Sequence, residues 1–284
     1  MEGLQSMEKT IMSDKQKRFL IFGAHPDDPD LLFGGTAYQL SRAGHVVKFV
    51  SMTNGNSGHY SMDKEALAVR RAGEAQASAK ILGISEYEIF PLNDGELEPT
   101  VENRKRVIRC IRKFRPDVVI SHRTCDYHPD HRAAGQLVLD AAYLLSVPLT
   151  CPETPVPDNL PIFAYTFDRF TRPAPIRADA AVEMDSVREI KCRALACHRS
   201  QFFEWLPYGD GMTGIDFDAM DWPARFAHLG IWLKRFEKAA ELGRETLRQI
   251  YGDRADSIRT AEVFEQSDYS FQVPQEEFAR LFLP

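Results

Sequence analysis

Short apolar runs that alternate with longer helical stretches constrain this chain more than any other feature of its sequence. Residues 19–22 (Phe-Leu-Ile-Phe), 46–52, 87–92 and 117–121 each carry a compact, mostly apolar block. Runs of that length suit strands buried on both faces of a parallel sheet. Between them, residues 36–43, 63–82 and 99–114 carry helical spacing. Leu67, Ala72, Ala75, Ala79 and Leu82 fall on one side of the second stretch, and Gly83 follows it. Val101, Ile108, Ile111 and Phe114 share a face of the third, with Pro116 just beyond. Glycine after the last turn and proline past it are ordinary helix stops. The strand–helix–strand rhythm predicts a doubly wound α/β sheet.

The second half is less regular. Five prolines between 147 and 161 mark a connecting loop, residues 162–167 and 178–184 read as further strands, and 185–200 and 222–241 read as helices. With 284 residues, 44% of them hydrophobic, the chain has material for one sizeable core. A net charge of -6 argues against nucleic acid as a partner, because phosphate binding leaves a basic footprint. No apolar run approaches the roughly 18 residues needed to cross a bilayer. Residues 1–17 are polar, lack an apolar signal core and read as a loose leader. Five cysteines without CxxC spacing fit a reduced, cytoplasmic setting better than a disulfide framework.

Chemistry concentrates where two apolar runs end. The first leads into Ala24-His25-Pro26-Asp27-Asp28, the fourth into residues 121–131, which close on His128-Pro129-Asp130-His131. Ligands of open α/β sheets bind beyond the carboxyl ends of strands, and in the commonest doubly wound orders the first and fourth strands are neighbours. Two histidines and a carboxylate suit a catalytic zinc, which keeps one position for water. His25 and Asp28 reach a metal from one tight turn and His131 supplies a third arm, leaving Asp27, His128 and Asp130 close by. Amide hydrolysis needs an activated water, a stabilised oxyanion and a protonated leaving amine. Asp27 suits the first task as base and His128 the last as acid. A helix starting near Pro129 keeps His131 neutral, as a ligand must be, but disfavours protonated His128. Asp130 or Asp126 must offset that field, so Asp130→Ala is expected to lower the pKa of the acid.

Other features read more plainly. Asp27, Asp28 and Asp30 would repel a phosphate from Gly34-Gly35-Thr36, so close backbone packing is the expected role there. The basic residues between 104 and 115 read as a solvated helix face. Residues 53–60 read as a substrate-shaping loop, and residues 205–211 as a plain loop or a lid with a sugar-stacking aromatic. His198 and Gln201 are expected to tie the late helix to the core, while His45, His122 and His228 suggest no role.

The two histidine-aspartate motifs, at this spacing, order and strand context, resemble the LmbE-like or PIG-L-like N-acetylglucosaminyl deacetylase family. The resemblance covers about residues 19–145 and returns at 191–201, KCRALACHRSQ. It implies a Rossmann-like three-layer sandwich with a mostly parallel sheet and a C-terminal elaboration. It further implies one Zn²⁺ on His25, Asp28 and His131, Asp27 as base, and His128 as acid tuned by Asp130. Arg71 resembles the family arginine that contacts substrate, and Asp94 the aspartate that binds sugar hydroxyls. The substrate so implied is a small N-acetylglucosamine conjugate; Fe²⁺ or Co²⁺ would also fit the ligand set. Two departures stand out. Pro29 and Asp30 follow the paired aspartates, and the place of a tyrosine that assists the oxyanion in some members is held by Asp126, with Tyr127 next. The chain divides into a leader (1–17), a deacetylase core (18–201) and a mainly helical extension packed on it (202–284). A homo-oligomer stays open. The rivals are a hydrolase of another amide, an ester or a phosphate, and a sugar-binding module, which would need neither base nor acid. Nucleotide binding lacks its GxGxxG.

Overall fold

The computed structural model describes residues 16–212 and 214–284, so most of the segment read as a leader lies outside it. The strands are β1 (Arg18–Gly23), β2 (Val46–Ser51), β3 (Glu86–Ile89), β4 (Val118–Ser121), β5 (Ile162–Thr166), β6 (Ala180–Glu183) and β7 (Ala261–Gln266). They form one sheet in the order β3-β2-β1-β4-β5-β7-β6. The pairs from β3 through β5 are parallel; β7 runs antiparallel to both β5 and β6. The expected mostly parallel sheet is there, with β1 and β4 side by side.

The helices are α1 (Asp28–Arg42), α2 (Lys64–Leu82), α3 (Val101–Phe114), α4 (Pro129–Leu144), α5 (Arg188–Cys197), α6 (Leu206–Gly209), α7 (Trp222–Leu233), α8 (Arg235–Leu242), α9 (Arg244–Tyr251) and α10 (Gln275–Leu281). Side chains alternate across a strand. Phe19 and Ile21 of β1 accordingly pack with Phe33 of α1 and Ala75 and Leu82 of α2, while Leu20 and Phe22 pack with Ile108 of α3 and Leu137 of α4. Both faces are covered, which is why β1 shows no polar alternation. Asp63 caps α2 by accepting from the Ala66 N–H, and Gly83, at φ +68°, ends it.

Three differences from the sequence reading have physical causes. Helix α1 begins at Asp28, eight residues before the expected start, and runs through Gly34 and Gly35. The glycine pair hides it, because glycine disfavours helix interiors. Here the space is needed: a Cβ on Gly35 would meet Met184 Cγ at 2.9 Å, and the Glu262 carboxylate accepts from the N–H groups of Gly35 and Thr36. Strand β7 carries no legible strand pattern in the sequence, since two of its six residues are glutamates. Both are neutralised from afar, Glu262 by fully buried Lys191 and Glu265 by Arg177. The helix expected over 222–241 breaks at Lys234 into α7 and α8. Asp30 turns inward onto Ser78, Tyr87 and His198, and Gln201 donates to the Gly58 carbonyl, so the late segment is tied to the core as expected. Among the described residues no helix is long and apolar enough to cross a membrane.

Candidate metal centre

The motif turn forms because β1 stops at Gly23 and α1 starts five residues later. A Cβ on Gly23 would lie 2.6 Å from Pro29 Cδ, so only glycine lets the turn fold back so tightly. Strand β4 delivers the second motif to the same sheet edge, where Pro129 opens α4 and His128 caps it.

The Asp28 carboxylate lies at the centre. Oδ2 is 3.3 Å from His25 Nδ1 and 3.5 Å from His122 Nε2, and Oδ1 is 3.5 Å from His131 Nε2. The backbone N–H of His25 donates to the same Oδ2 at 2.7 Å, which fixes the carboxylate. His25, Asp28 and His131 offer ligand atoms within 4.8 Å of one another. His25, Asp94 and His128 form a second such set, and His122, Asp126 and His131 a third. The outer nitrogens have carboxylates in place. His131 Nδ1 is 3.2 Å from Asp126, and His25 Nε2 is 3.1 Å from Asp94 and 3.5 Å from Asp130. Carboxylates on the far nitrogen are what orient ligating imidazoles, and two nitrogens with one oxygen suit a divalent cation. The residues present therefore fit a metal.

Electrostatics follow from the crowding. Burial works to raise the Asp28 carboxyl, but the His131 charge and contacts with His122 and His25 outweigh it and hold it well below the usual range. Burial works to lower His25, yet Asp130, Asp28 and Asp94 hold it well above its ordinary value. Burial likewise works against ionised Asp94, but His25 and then Arg71 bring it down to about 2. His128 is lowered by burial and by the His25 and His131 charges, which Asp130 and Asp28 only partly offset.

The remaining expected residues sit around this cluster. Asp27 receives a hydrogen bond from Arg71 Nη2 at 2.5 Å. Arg71, only 2% exposed, also donates from Nη1 to the Gly55 carbonyl and lies 3.7 Å from Asp94. Both its terminal nitrogens are thus committed within the protein. Asp94 lies against His25, with its backbone carbonyl accepting from Ser57. His128 Nδ1 accepts the Asp130 N–H at 3.2 Å, so in this arrangement the ring is neutral with its proton on Nε2. The Asp130 carboxylate accepts from the Gly95 and Leu97 N–H groups, so it acts on His128 through charge alone.

Three further neighbours border the cluster, of which the sequence suggests a part for Asp126 alone. His122 accepts the Ala24 N–H and stacks on His131 at 4.3 Å. Its position directly after β4 was the one available signal. Asp126 holds His131 and accepts from the His128 N–H. Tyr127, 70% exposed, stands edge-on to His128 at 5.8 Å. His59, with its Nε2 on Glu204, stays out of the cluster.

Comparison with known proteins adds an independent line. The PIG-L family, described as GlcNAc-PI de-N-acetylase, matches residues 20–142. A diacetylchitobiose deacetylase of Thermococcus kodakarensis is 33% identical over 210 residues, covering 68% of this chain and 74% of that protein. The chain superposes on N,N'-diacetylchitobiose deacetylase from Pyrococcus horikoshii with a TM-score of 0.65 at 24% identity, covering 93% of this chain and 90% of that one. It superposes on GalB, the 4-carboxy-2-hydroxymuconate hydratase from Pseudomonas putida KT2440, with a TM-score of 0.67 at 21% identity, covering 91% and 99%. The structural likenesses bear on fold alone, since one architecture carries both chemistries.

Proposed function

The chain belongs to the PIG-L family, and from that premise we propose that it removes the acetyl group from an N-acetylglucosamine-type conjugate with the help of one zinc ion. The observation that carries the reading is the placement of Asp27 and His128 beside the donor set of His25, Asp28 and His131. A divalent cation held there would supply the Lewis acidity that lowers the pKa of water toward about 7. Asp27 accepts a proton from the attacking water, with its carboxylate already oriented by Arg71. The water oxygen bonds to the acetyl carbon and the C–N bond breaks. His128, protonated on both nitrogens at the expense of its Nδ1 contact with the Asp130 N–H, delivers the Nε2 proton to the departing nitrogen, giving acetate and a free amine. Asp94 and Asp130 orient His25 and keep the floor of the site negative. Arg71 serves this site by holding the base, and Asp94 stays close enough to it to meet a sugar hydroxyl.

Two variants probe these roles. Asp130→Asn removes a negative charge that favours the protonated His128 ring. The pKa of the acid then falls, and the alkaline limb of kcat/KM moves to lower pH; an unmoved limb would take Asp130 out of this role. Gly55→Ala places a Cβ about where the Arg71 guanidinium lies, 2.5 Å from Nη1, at φ +67°. Arg71 must move, Asp27 loses its partner, and kcat is expected to fall about 10²-fold, a scale typical of misplaced catalytic groups. Steady-state kinetics with metal content measured in parallel checks this.

The direct test is free-amine and acetate release from a panel of N-acetylglucosamine conjugates, with and without added Zn²⁺, beside ester and phosphate substrates. Metal-dependent acetate release from the N-acetyl sugars alone is the expected result. Cleavage only of esters or phosphates would replace the reading with another hydrolase chemistry.

A further inference from the structure

A sealed polar network lies beneath the metal turn, and the proton movements of the proposed reaction make no use of it. Asp30, in the first turn of α1, is fully buried two residues after Asp28. A carboxylate without solvent is tolerated only where its oxygens and its charge are met. Ser78 of α2 donates its hydroxyl proton to Oδ1. Oδ2 meets the Tyr87 hydroxyl of β3 at 2.9 Å and His198 Nε2, just past α5, at 3.1 Å. Ser78, Tyr87 and His198 are all buried as well.

The Tyr87 oxygen touches a second acceptor, the Pro26 carbonyl, in the middle of the His25-Pro26-Asp27-Asp28 turn. A phenol has one proton, and neither a carbonyl nor a carboxylate returns one. Burial, followed by the Asp30 charge, holds the Tyr87 pKa well above its ordinary value, so the hydroxyl stays a donor. Which acceptor takes the proton depends on how well Asp30 is satisfied without it. Among the described residues His198 is the only ion-pair partner of Asp30. Its Nε2 faces Oδ2 off the hydrogen-bond line and its Nδ1 has no partner, so what it brings is charge. Burial works against that charge, but Asp30, then Asp27 and Glu74, hold the His198 pKa above its ordinary value. With its charge balanced by His198 and Oδ1 met by Ser78, Asp30 leaves the Tyr87 proton to Pro26.

We propose that Tyr87 and His198 are positioning residues for Asp27: His198 balances Asp30, and Tyr87 then fixes the Pro26 carbonyl and with it the peptide that carries the base. The proline ring already locks φ at Pro26, so the direction of its carbonyl sets the one backbone angle left, ψ, and hence where Asp27 points. Arg71 holds Asp27 by its carboxylate, and Tyr87 holds the same residue from the backbone side. Asp30, one of the two departures that follow the paired aspartates, thereby gains a part in the site. The role rests on Asp27 being the base of the proposed hydrolysis.

A double-mutant cycle tests it. Tyr87→Phe removes the hydroxyl and keeps the ring, which stands edge-on to Phe49 at 5.5 Å. His198→Gln removes the charge at similar reach. Both are made in the full zinc-loaded chain, alone and on Asp27→Asn, and assayed on an N-acetylglucosamine conjugate that wild type turns over. Each variant alone is expected to lower kcat about 10- to 100-fold with KM within about twofold, the mark of a misaimed catalytic group. On Asp27→Asn neither has a further effect, because the group they aim can no longer take a proton. Equal losses on both backgrounds would mean a structural role alone and overturn the proposal, as does a kcat for Tyr87→Phe within about twofold of wild type. If His198→Gln does not fold, Tyr87→Phe carries the test by itself. Crystal structures of wild type and Tyr87→Phe decide the geometry without turnover. The Asp27 carboxylate is expected to shift by more than about 0.5 Å relative to His25 and Asp28, the tolerance of a catalytic constellation. An unmoved Asp27 overturns the proposal. A displaced Asp27 in a protein whose wild type deacetylates nothing would support the positioning network and sink the deacetylase reading.

Discussion

Replacing Asp27 by asparagine is expected to lower kcat by about 10²- to 10⁴-fold, the usual contribution of a positioned acid or base. The variant is nearly isosteric, and its amide oxygen can still accept from Arg71, so the local geometry is preserved. What it loses is the ability to take a proton. Asp27 belongs to none of the ligand sets in the cluster, so bound metal is expected to stay at the wild-type level. Steady-state kinetics with metal analysis on the same preparation separates the two effects. A variant within a few-fold of wild-type kcat would move the base to another carboxylate, with Asp94 and Asp130 the nearest candidates.

The other large effect concerns His131. His131→Ala removes one nitrogen of the proposed ligand set and leaves His25 and Asp28, too few to hold a catalytic metal firmly. Loss of an outer partner alone typically weakens a metal site 10- to 100-fold, so loss of a ligand is expected to weaken it by more than about 10²-fold. After dialysis the variant should retain almost no metal and almost no activity. His122→Ala is the comparison, because His122 stacks on His131 and belongs to a competing set with Asp126. It is expected to keep its metal. If His122→Ala empties the site as fully as His131→Ala, while Asp28→Asn does not, the cation sits on the His122 set instead.

These expectations depend unequally on sequence and on structure. The apolar run at 19–22 is readable as a buried strand because both its faces are covered by helices, so burial leaves no polar position within it. Strand β7 follows the same physics but is unreadable, since the partners that let Glu262 and Glu265 be buried lie far away in the chain. Helix α1 shows how a local rule misleads: two glycines argue for a break, and only the approach of Met184 and Glu262 explains why they are tolerated.

The same division runs through the site. Two motifs, each within a few residues of a strand end, specified a tight turn and a helix start, because tight turns and helix caps are determined by neighbours in sequence. Adjacency of β1 and β4 then followed from the doubly wound pattern. Whatever joins distant segments was decided by the tertiary structure. Arg71 reaches Asp27 from α2, and Asp94 meets His25 from beyond β3. A charged side chain looks the same in the sequence whether it ends in solvent or against a buried carboxylate, and only the folded chain brings it to its partner.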